Sequence, residues 1–404
     1  MANTLVTCSI VARESLAVLE NMLTFSERVN RDWEDEYLSN MSRGYEPGAT
    51  LNIRRPPRYT YRAGAVAVPQ ATVQTTVPVT LSQGGNDLQF SSAELTHSVS
   101  SRRLEEIITA AVAPVANEID RQGLALAHFA TYNTLNPTGA LPATQLASVQ
   151  VMTDVNRRLD EMAAPVKDGR RSFITNPALN GAMVAGFSGL FNMAEKVSGQ
   201  YRTGYMQDSF GLRPGMDQNV DVHTNGAATA TNINGANQVG SAITVIAVAA
   251  GTLTRGTVIT LPGVFAVNPQ TRQSTGVLAN FVVTADTAAG AVSIPISPAI
   301  VTSGAFQNVS ASPTTGQPYV IIGAASTSYG TNVAFHKDAF TLAMVPMWKP
   351  SAGVIDVAQR TSNGFTMKVT KFYDGTNDRM VMRFDVLFGW AATYAELAVK
   401  YYTV

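Results

Sequence analysis

The spacing of hydrophobic positions changes several times along this 404-residue chain, and each change marks an element. Leu16, Leu19, Leu23 and Val29 recur near helical spacing and predict a helix from about Ser9 to Tyr37. That segment closes on an acidic cluster, Asp32, Glu34, Asp35 and Glu36, which suits either a solvated face or a charged arm docked on a neighbour. From Leu51 to Phe90 the pattern becomes extended. Val73, Thr75, Val77, Val79 and Leu81 alternate, and Gly84-Gly85-Asn86-Asp87 offers a turn. A two-stranded ribbon is marginal alone in water, so this loop is expected to lie on something else.

Ser91-Ser92-Ala93-Glu94 fits a capping box, and from Leu104 the residues Ile107, Ile108, Ala111, Val112, Val115, Ile119, Leu126 and Phe129 trace one helical face. Continued to Tyr132, such a helix is about 40 Å long, with Pro114 inside it as an expected bend. A shorter amphipathic helix is predicted over Gln145–Ala163, a strand over Arg171–Thr175, and a helix starting at Pro177. At the C-terminus, Phe365–Tyr373 and Arg379–Trp390 flank the turn Asp374–Asp378 as a strand hairpin with one face better buried.

Charge alters this picture in one region. Between about Val222 and His336 only Arg255, Arg272 and Asp286 are ionisable at neutral pH, apart from the histidines at either end. Short β-type runs recur there at Ala242–Val248, Thr257–Leu261, Val277–Thr284, Ala291–Ile296 and Tyr319–Ile322, separated by Gly-rich turns. A composition that shifts sharply and then shifts back predicts a β-module inserted into a host domain, a barrel or sandwich rather than a linker.

The remaining composition mostly excludes. The formal net charge is zero, so the basic excess needed to grip nucleic acid through its phosphates is missing. Apolar stretches are broken by Thr, Asn, Gly or Pro, so no membrane-spanning helix is predicted. The N-terminal residues lack a secretion signal, and a single cysteine, Cys8, rules out an internal disulfide framework. Both point to a soluble protein made in a reducing cytoplasm. The four histidines are scattered without the pairing of metal ligands, and no phosphate loop or EF-hand pattern occurs. Ser188 lies in Gly186-Phe187-Ser188-Gly189, only a loose nucleophile elbow, because Leu190 replaces the second flanking glycine. Trp33, Trp348 and Trp390 are expected to be packing anchors. No catalytic, cofactor-binding or metal residue is therefore assigned, and a non-enzymatic role is expected.

The order of parts resembles a known family. An N-terminal arm, an extended loop, a long spine helix, a mixed central domain and a closing hairpin follow one another as in the Hong Kong 97-type major capsid proteins of tailed double-stranded DNA phages. Closer still are the coat proteins of short-tailed lambdoid phages, which carry an inserted β-barrel. Leu88-Gln89-Phe90 through Phe129, Phe173-Ile174-Thr175-Asn176-Pro177, Pro262 to Thr271 and Ala334-Phe335-His336-Lys337-Asp338-Ala339-Phe340 carry the resemblance.

The resemblance implies an α+β Hong Kong 97-like phage capsid fold with an inserted small all-β barrel domain. Its parts would be an N-terminal arm over 1–45, an extended loop over 46–92, spine helix and peripheral domain over 93–170, and axial domain over 171–221. The insert would span 222–332, and 333–404 would return to the axial and peripheral domains. The protein would assemble with itself as hexamers and pentamers of an icosahedral head, with a scaffolding protein and a portal. A place for a cementing or decoration protein would remain. The shell would be built in the host bacterial cytoplasm and enclose double-stranded DNA without binding it specifically. The alternative is another β-rich self-assembling structural or adhesive protein, such as a tail or surface-layer component. No lysine lies between Leu51 and Phe90, so the loop-to-neighbour isopeptide crosslink of the founding capsid is not expected. The sparse charge of the insert likewise disfavours salt bridges from it. Arg54, Arg55, Arg58 and Arg62 on the extended loop are the candidate intersubunit contacts, facing acidic groups such as Asp32, Glu34, Asp35 and Glu36 of adjacent copies.

Overall fold

A computed structural model describes residues 8–31, 50–55, 57–62, 64–65, 67, 69–73, 75–91, 101–187 and 208–404. The chain forms two compact units. One comprises Met1–Ile53, Val77–Gly123 and Thr341–Ala391; the other comprises Arg54–Thr76, Leu124–Phe340 and Ala392–Val404. The architecture is the mixed α+β one that the pattern predicts.

In the first unit, helix α1 (Cys8–Met22) packs on the strands Asp356–Ser362 and Phe365–Asp374. It buries Val11, Ala12, Leu16 and Leu19. The helix stops at Met22, well short of the predicted Tyr37. The cause is Asp120, whose buried carboxylate accepts the backbone N–H groups of Thr24 (2.8 Å), Phe25 (3.2 Å) and Ser26 (3.0 Å), together with the Ser26 hydroxyl. A charged acceptor outcompetes continued helix for those donors. Cys8 is buried at the start of α1, and burial together with the nearby Asp356 carboxylate pushes its thiol up to about 12. A thiol held protonated is no nucleophile.

The strands Phe365–Asp374 and Arg379–Ala392 form the expected antiparallel hairpin, from Asp374↔Arg379 to Lys368↔Asp385. Val381 and Leu387 are half-buried, while Phe384, Val386 and Phe388 are buried. The predicted turn at Gly84–Asp87 is instead the middle of a strand, Ser82–Ser91, paired with Arg379–Ala392 over ten positions. The reason is contact distance. A Cβ added at Gly85 would stand 2.2 Å from the Phe384 carbonyl oxygen, so glycine there permits close strand approach rather than reversal. Of the expected packing anchors, Trp390 lies 5.3 Å from the Phe25 ring and against Gly123, where a Cβ would meet it at 2.5 Å. Trp348 departs from expectation, being 77% exposed, and Trp33 lies outside the described residues.

Helix α2 (Ser101–Ala130) runs for 30 residues without interruption at Pro114, about 45 Å at 1.5 Å per residue. The preceding capping-box segment beyond Ser91 lies outside the described residues.

In the second unit, helices α3 (Gln145–Glu161) and α4 (Pro177–Phe187) share a core with a six-stranded sheet. Thr144 caps α3 by accepting the Ala147 N–H. The strand Ser328–His336 is the hub of that sheet. It pairs antiparallel with Ala398–Thr403, with Arg171–Thr175 and, at its start, with Val222–Thr224.

Between Thr224 and Ser328 the low-charge segment builds a second, five-stranded sheet. Its order is Val320–Ile321, Val258–Val267, Ser274–Val283, Ser293–Ile300 and Gly240–Thr244. All five predicted β-runs contribute, although the second extends to Val267, so that Pro262–Thr271 is a strand end and turn. Residues 231–234 hydrogen-bond to Gln317 and Tyr319 on one side and to Thr244 and Ile246 on the other, which ties the two edge strands together. Buried Ile, Val and Leu side chains with Phe281 and Tyr319 fill the interior. Amide side chains take the place of charge. Asn308 accepts from Val301 and donates to Ala299, and Asn225 donates to the carbonyls of Ile322 and Ala324.

Replacing Asp120 with alanine leaves three backbone donors without their acceptor. Urea unfolding should show a loss of about 3 kcal/mol or more, and protease should cut first within residues 8–31. An unchanged midpoint would contradict this role for Asp120.

Candidate assembly site

The four candidate arginines occupy one Pro- and Tyr-rich stretch but have different surroundings. Arg54 and Arg62 are exposed, and Arg62 donates to the Gly64 carbonyl at 2.7 Å. Arg55 is half-buried, donating to the Ala392 carbonyl at 3.3 Å with its guanidinium 5.7 Å from the Tyr394 ring. Arg58 forms an ion pair with Glu396 of the same chain and lies 5.9 Å from the Phe306 ring. The loop is also clasped on itself. Gln70 accepts from the Thr60 N–H and donates to the Thr60 carbonyl, both at 2.8 Å, and the Tyr59 and Thr72 hydroxyls meet at 2.9 Å. Arg272, from the turn at Asn268–Arg272, donates to the Tyr59 carbonyl at 2.9 Å.

A cleft of about 460 Å³ results, with Arg58, Arg272, Asp338 and Glu396 among its walls. Two guanidiniums and two carboxylates give it no dominant sign, so it is not built to hold a free anion. Asp32, Glu34, Asp35 and Glu36 lie outside the described residues, as does Ser188.

A second cluster in this unit joins residues far apart in sequence. Near the C-terminal end of α2, His128 Nδ1 faces Asp221 Oδ2 at 2.6 Å, so Nδ1–H donates to the carboxylate. His223 lies beside it, with ring centroids 4.9 Å apart, and its Nε2 meets the Thr257 hydroxyl at 3.2 Å. Lys400 is fully buried and donates to the carbonyls of His128 (3.0 Å) and Gly256 (3.4 Å). Burial pulls the Lys400 ammonium down to about 7, although a cation at the carbonyl end of a helix is favourably placed. Burial, reinforced by the charges of His128 and Lys400, pushes His223 down to about 3. His128 is also lowered, chiefly by burial, against the opposing pull of Asp221. The hydrogen bond from His128 in turn lowers the Asp221 carboxyl.

Sequence spacing gave no hint of this pairing, because His128 and His223 are 95 positions apart. The readable signal was Lys400, a cation inside the otherwise uncharged strand Ala398–Thr403. Among the described residues, no three His, Cys, Asp or Glu side chains are grouped to hold a metal.

Comparison with known proteins bears on what these parts serve. The family described as P22 coat protein, gene protein 5, matches residues 69–400. Among curated proteins, none is similar enough in sequence to count as a relative. Solved structures similar to this chain include one from Mycobacterium phage Che8, at 12% identity and TM-score 0.49, covering 94% of this chain and 90% of that one. A virus-like particle from Pyrococcus furiosus follows at 9% identity and TM-score 0.39, with 97% of each chain covered. The capsid of Ralstonia phage GP4 matches at 7% identity and TM-score 0.42, covering 89% of this chain and 84% of that one. The family match, not these remote likenesses, carries the assignment.

A double-mutant cycle on Arg58→Ala and Glu396→Ala should return a coupling of about 1 kcal/mol or less in thermal or urea unfolding, because both side chains are about a quarter exposed. A coupling well above that would mean the pair behaves as a buried one.

Proposed function

The chain belongs to the P22 coat protein family, which makes it a structural major capsid protein, and we propose that its copies close into an icosahedral phage head around double-stranded DNA. The match across residues 69–400 is the observation that carries this reading. Hexamers and pentamers are its capsomers, a scaffolding protein and a portal its assembly partners, and the host bacterial cytoplasm its place of assembly. A formal net charge of zero suits a container that encloses DNA without gripping it.

The order of elements supports a Hong Kong 97-type fold. In that fold, 1–45 is the arm, 46–92 the extended loop, 93–170 the spine and peripheral domain, and 171–221 with 333–404 the axial and returning peripheral parts. The hydrogen bonds of residues 231–234 on both their edges support a closed barrel for the insert over 222–332. A cementing or decoration protein has room in the same scheme. The extended loop supplies contacts to adjacent copies. Many modest contacts allow a misplaced subunit to leave, whereas a few strong ones trap it. Of the four arginines, exposed Arg54 and Arg62 are the better placed to meet acidic residues such as Asp32, Glu34, Asp35 and Glu36 of a neighbour. Arg55 and Arg58 serve the loop's attachment to its own chain as well.

Negative-stain microscopy of the purified protein, with and without its phage's scaffolding protein, tests the reading directly. Closed shells or capsomer-like rings are expected; fibres or flat sheets would sink it. Reversing Arg54 and Arg62 to glutamate should lower the yield of shells at least severalfold while leaving the melting temperature within a few degrees of the parent. Normal shells from that variant would remove these residues from the interface.

A further inference from the structure

The low-charge segment meets the rest of its unit at a place where charge is concentrated. His128 comes from α2, Asp221 and His223 from the stretch leading into the segment, Arg255 from the segment itself, and Lys400 from the closing strand. His128, His223 and Lys400 are 2%, 3% and 0% exposed. Asp221 is the one carboxylate among the groups acting on the two imidazoles, and it is already engaged by His128. Arg255 stacks over Phe129 at 4.2 Å, and its backbone N–H is held by Asp286 at 2.6 Å.

Gly256 closes the cluster from the side of the segment. Its φ is +93°, and a Cβ there would lie 2.8 Å from His128 Nε2 and 3.2 Å from His223 Nδ1. Both ring nitrogens therefore face the glycine backbone closely. His128 Nε2 is buried with no hydrogen-bond partner, which suits a bare lone pair and not an N–H. The Gly256 carbonyl is turned to Lys400 instead.

We propose that the low-charge segment is held on its unit by a proton-sensitive contact, opened when His128 and His223 take up protons beside Lys400. A proton on His128 Nε2 creates a buried donor without an acceptor and a second cation near the ammonium. A proton on His223 adds a third, with Arg255 nearby and Asp221 the only opposing charge. Moving Gly256 and Thr257 away admits water to both rings and relieves the repulsion. The contact therefore opens at the base of the segment, while the segment's own sheet, which contains no histidine, stays intact.

The sign follows from linkage. Both imidazoles have a lower affinity for protons when the segment is seated than the ordinary 6.5 they regain on release. Their contribution to seating is complete above about pH 6.5 and is lost progressively as pH falls from there toward about 3 for His223. Lys400 is charged in both states once pH is well below 7, where it adds repulsion without slope; between pH 7.5 and 7 its own protonation adds a smaller loss of the same sign. Each imidazole kept neutral while seated lowers the seating equilibrium about tenfold between pH 7.5 and 5.5, and two together up to about a hundredfold.

Hydrogen exchange on the full-length protein at pH 7.5 and 5.5, expressed as protection factors so that intrinsic exchange cancels, reads this directly. Protection of the backbone at residues 253–258 and 222–224 should fall by at least tenfold at the lower pH, while the hairpin 365–392 changes by less than twofold. The double variant His128→Asn, His223→Asn should lose most of that pH dependence. Should the variant not fold, wild-type protein labelled at histidine ring carbons supplies the second reading, because the ring titrations and the loss of protection must share a midpoint. Protection unchanged at pH 5.5, a loss spread equally over the hairpin, or rings titrating near 6.5 with protection intact would each overturn the proposal.

Discussion

The pairing of one central strand constrains much of the second unit. Ser328–His336 lies between Ala398–Thr403 and Arg171–Thr175 and is buried from Tyr329 onward. A strand so enclosed must satisfy every backbone donor and acceptor from its neighbours, since water is absent. Three distant parts of the chain are therefore brought together: the strand before α4, the stretch leading into the low-charge segment, and the closing residues. Side chains reinforce the same arrangement. Asn332 accepts the Asn176 N–H at 2.6 Å and donates to the Tyr401 carbonyl at 3.0 Å, which fixes the strand's register against both neighbours.

Periodicity revealed most of the elements. Helices α2 and α3, the C-terminal hairpin and the β-runs of the low-charge segment follow from residue spacing, because each buries one face or both against a packed layer. The misreadings came from interactions that spacing does not encode. Helix α1 ends where a carboxylate nearly a hundred residues away takes its continuation's N–H groups. Gly84-Gly85 looks like a reversal until a neighbouring strand is seen to need that space. Trp348 has the composition of a core residue and none of the burial.

The candidate contacts were legible in part. Opposite local charge directed attention to the arginine-bearing loop, but the chemistry of each arginine depends on what the fold brings near it. Arg58 meets Glu396 and Arg55 meets Tyr394, partners more than three hundred positions away. The buried cluster of His128, His223 and Lys400 was invisible for the same reason. Such clusters arise from tertiary proximity alone, and the one local sign was a lysine where a strand interior wants none.

The low-charge segment begins and ends at strands that are hydrogen-bonded to each other, Tyr329 opposite His223. Its two ends are thus about one strand spacing apart, close to 5 Å. A chain joining Thr224 to Ser328 has to begin and end as neighbours, and it must also present Thr257 and Gly256 to His223 and Lys400 of that sheet. A designer can shorten or enlarge the stretch between those ends without moving them, provided the Gly256 carbonyl still meets Lys400.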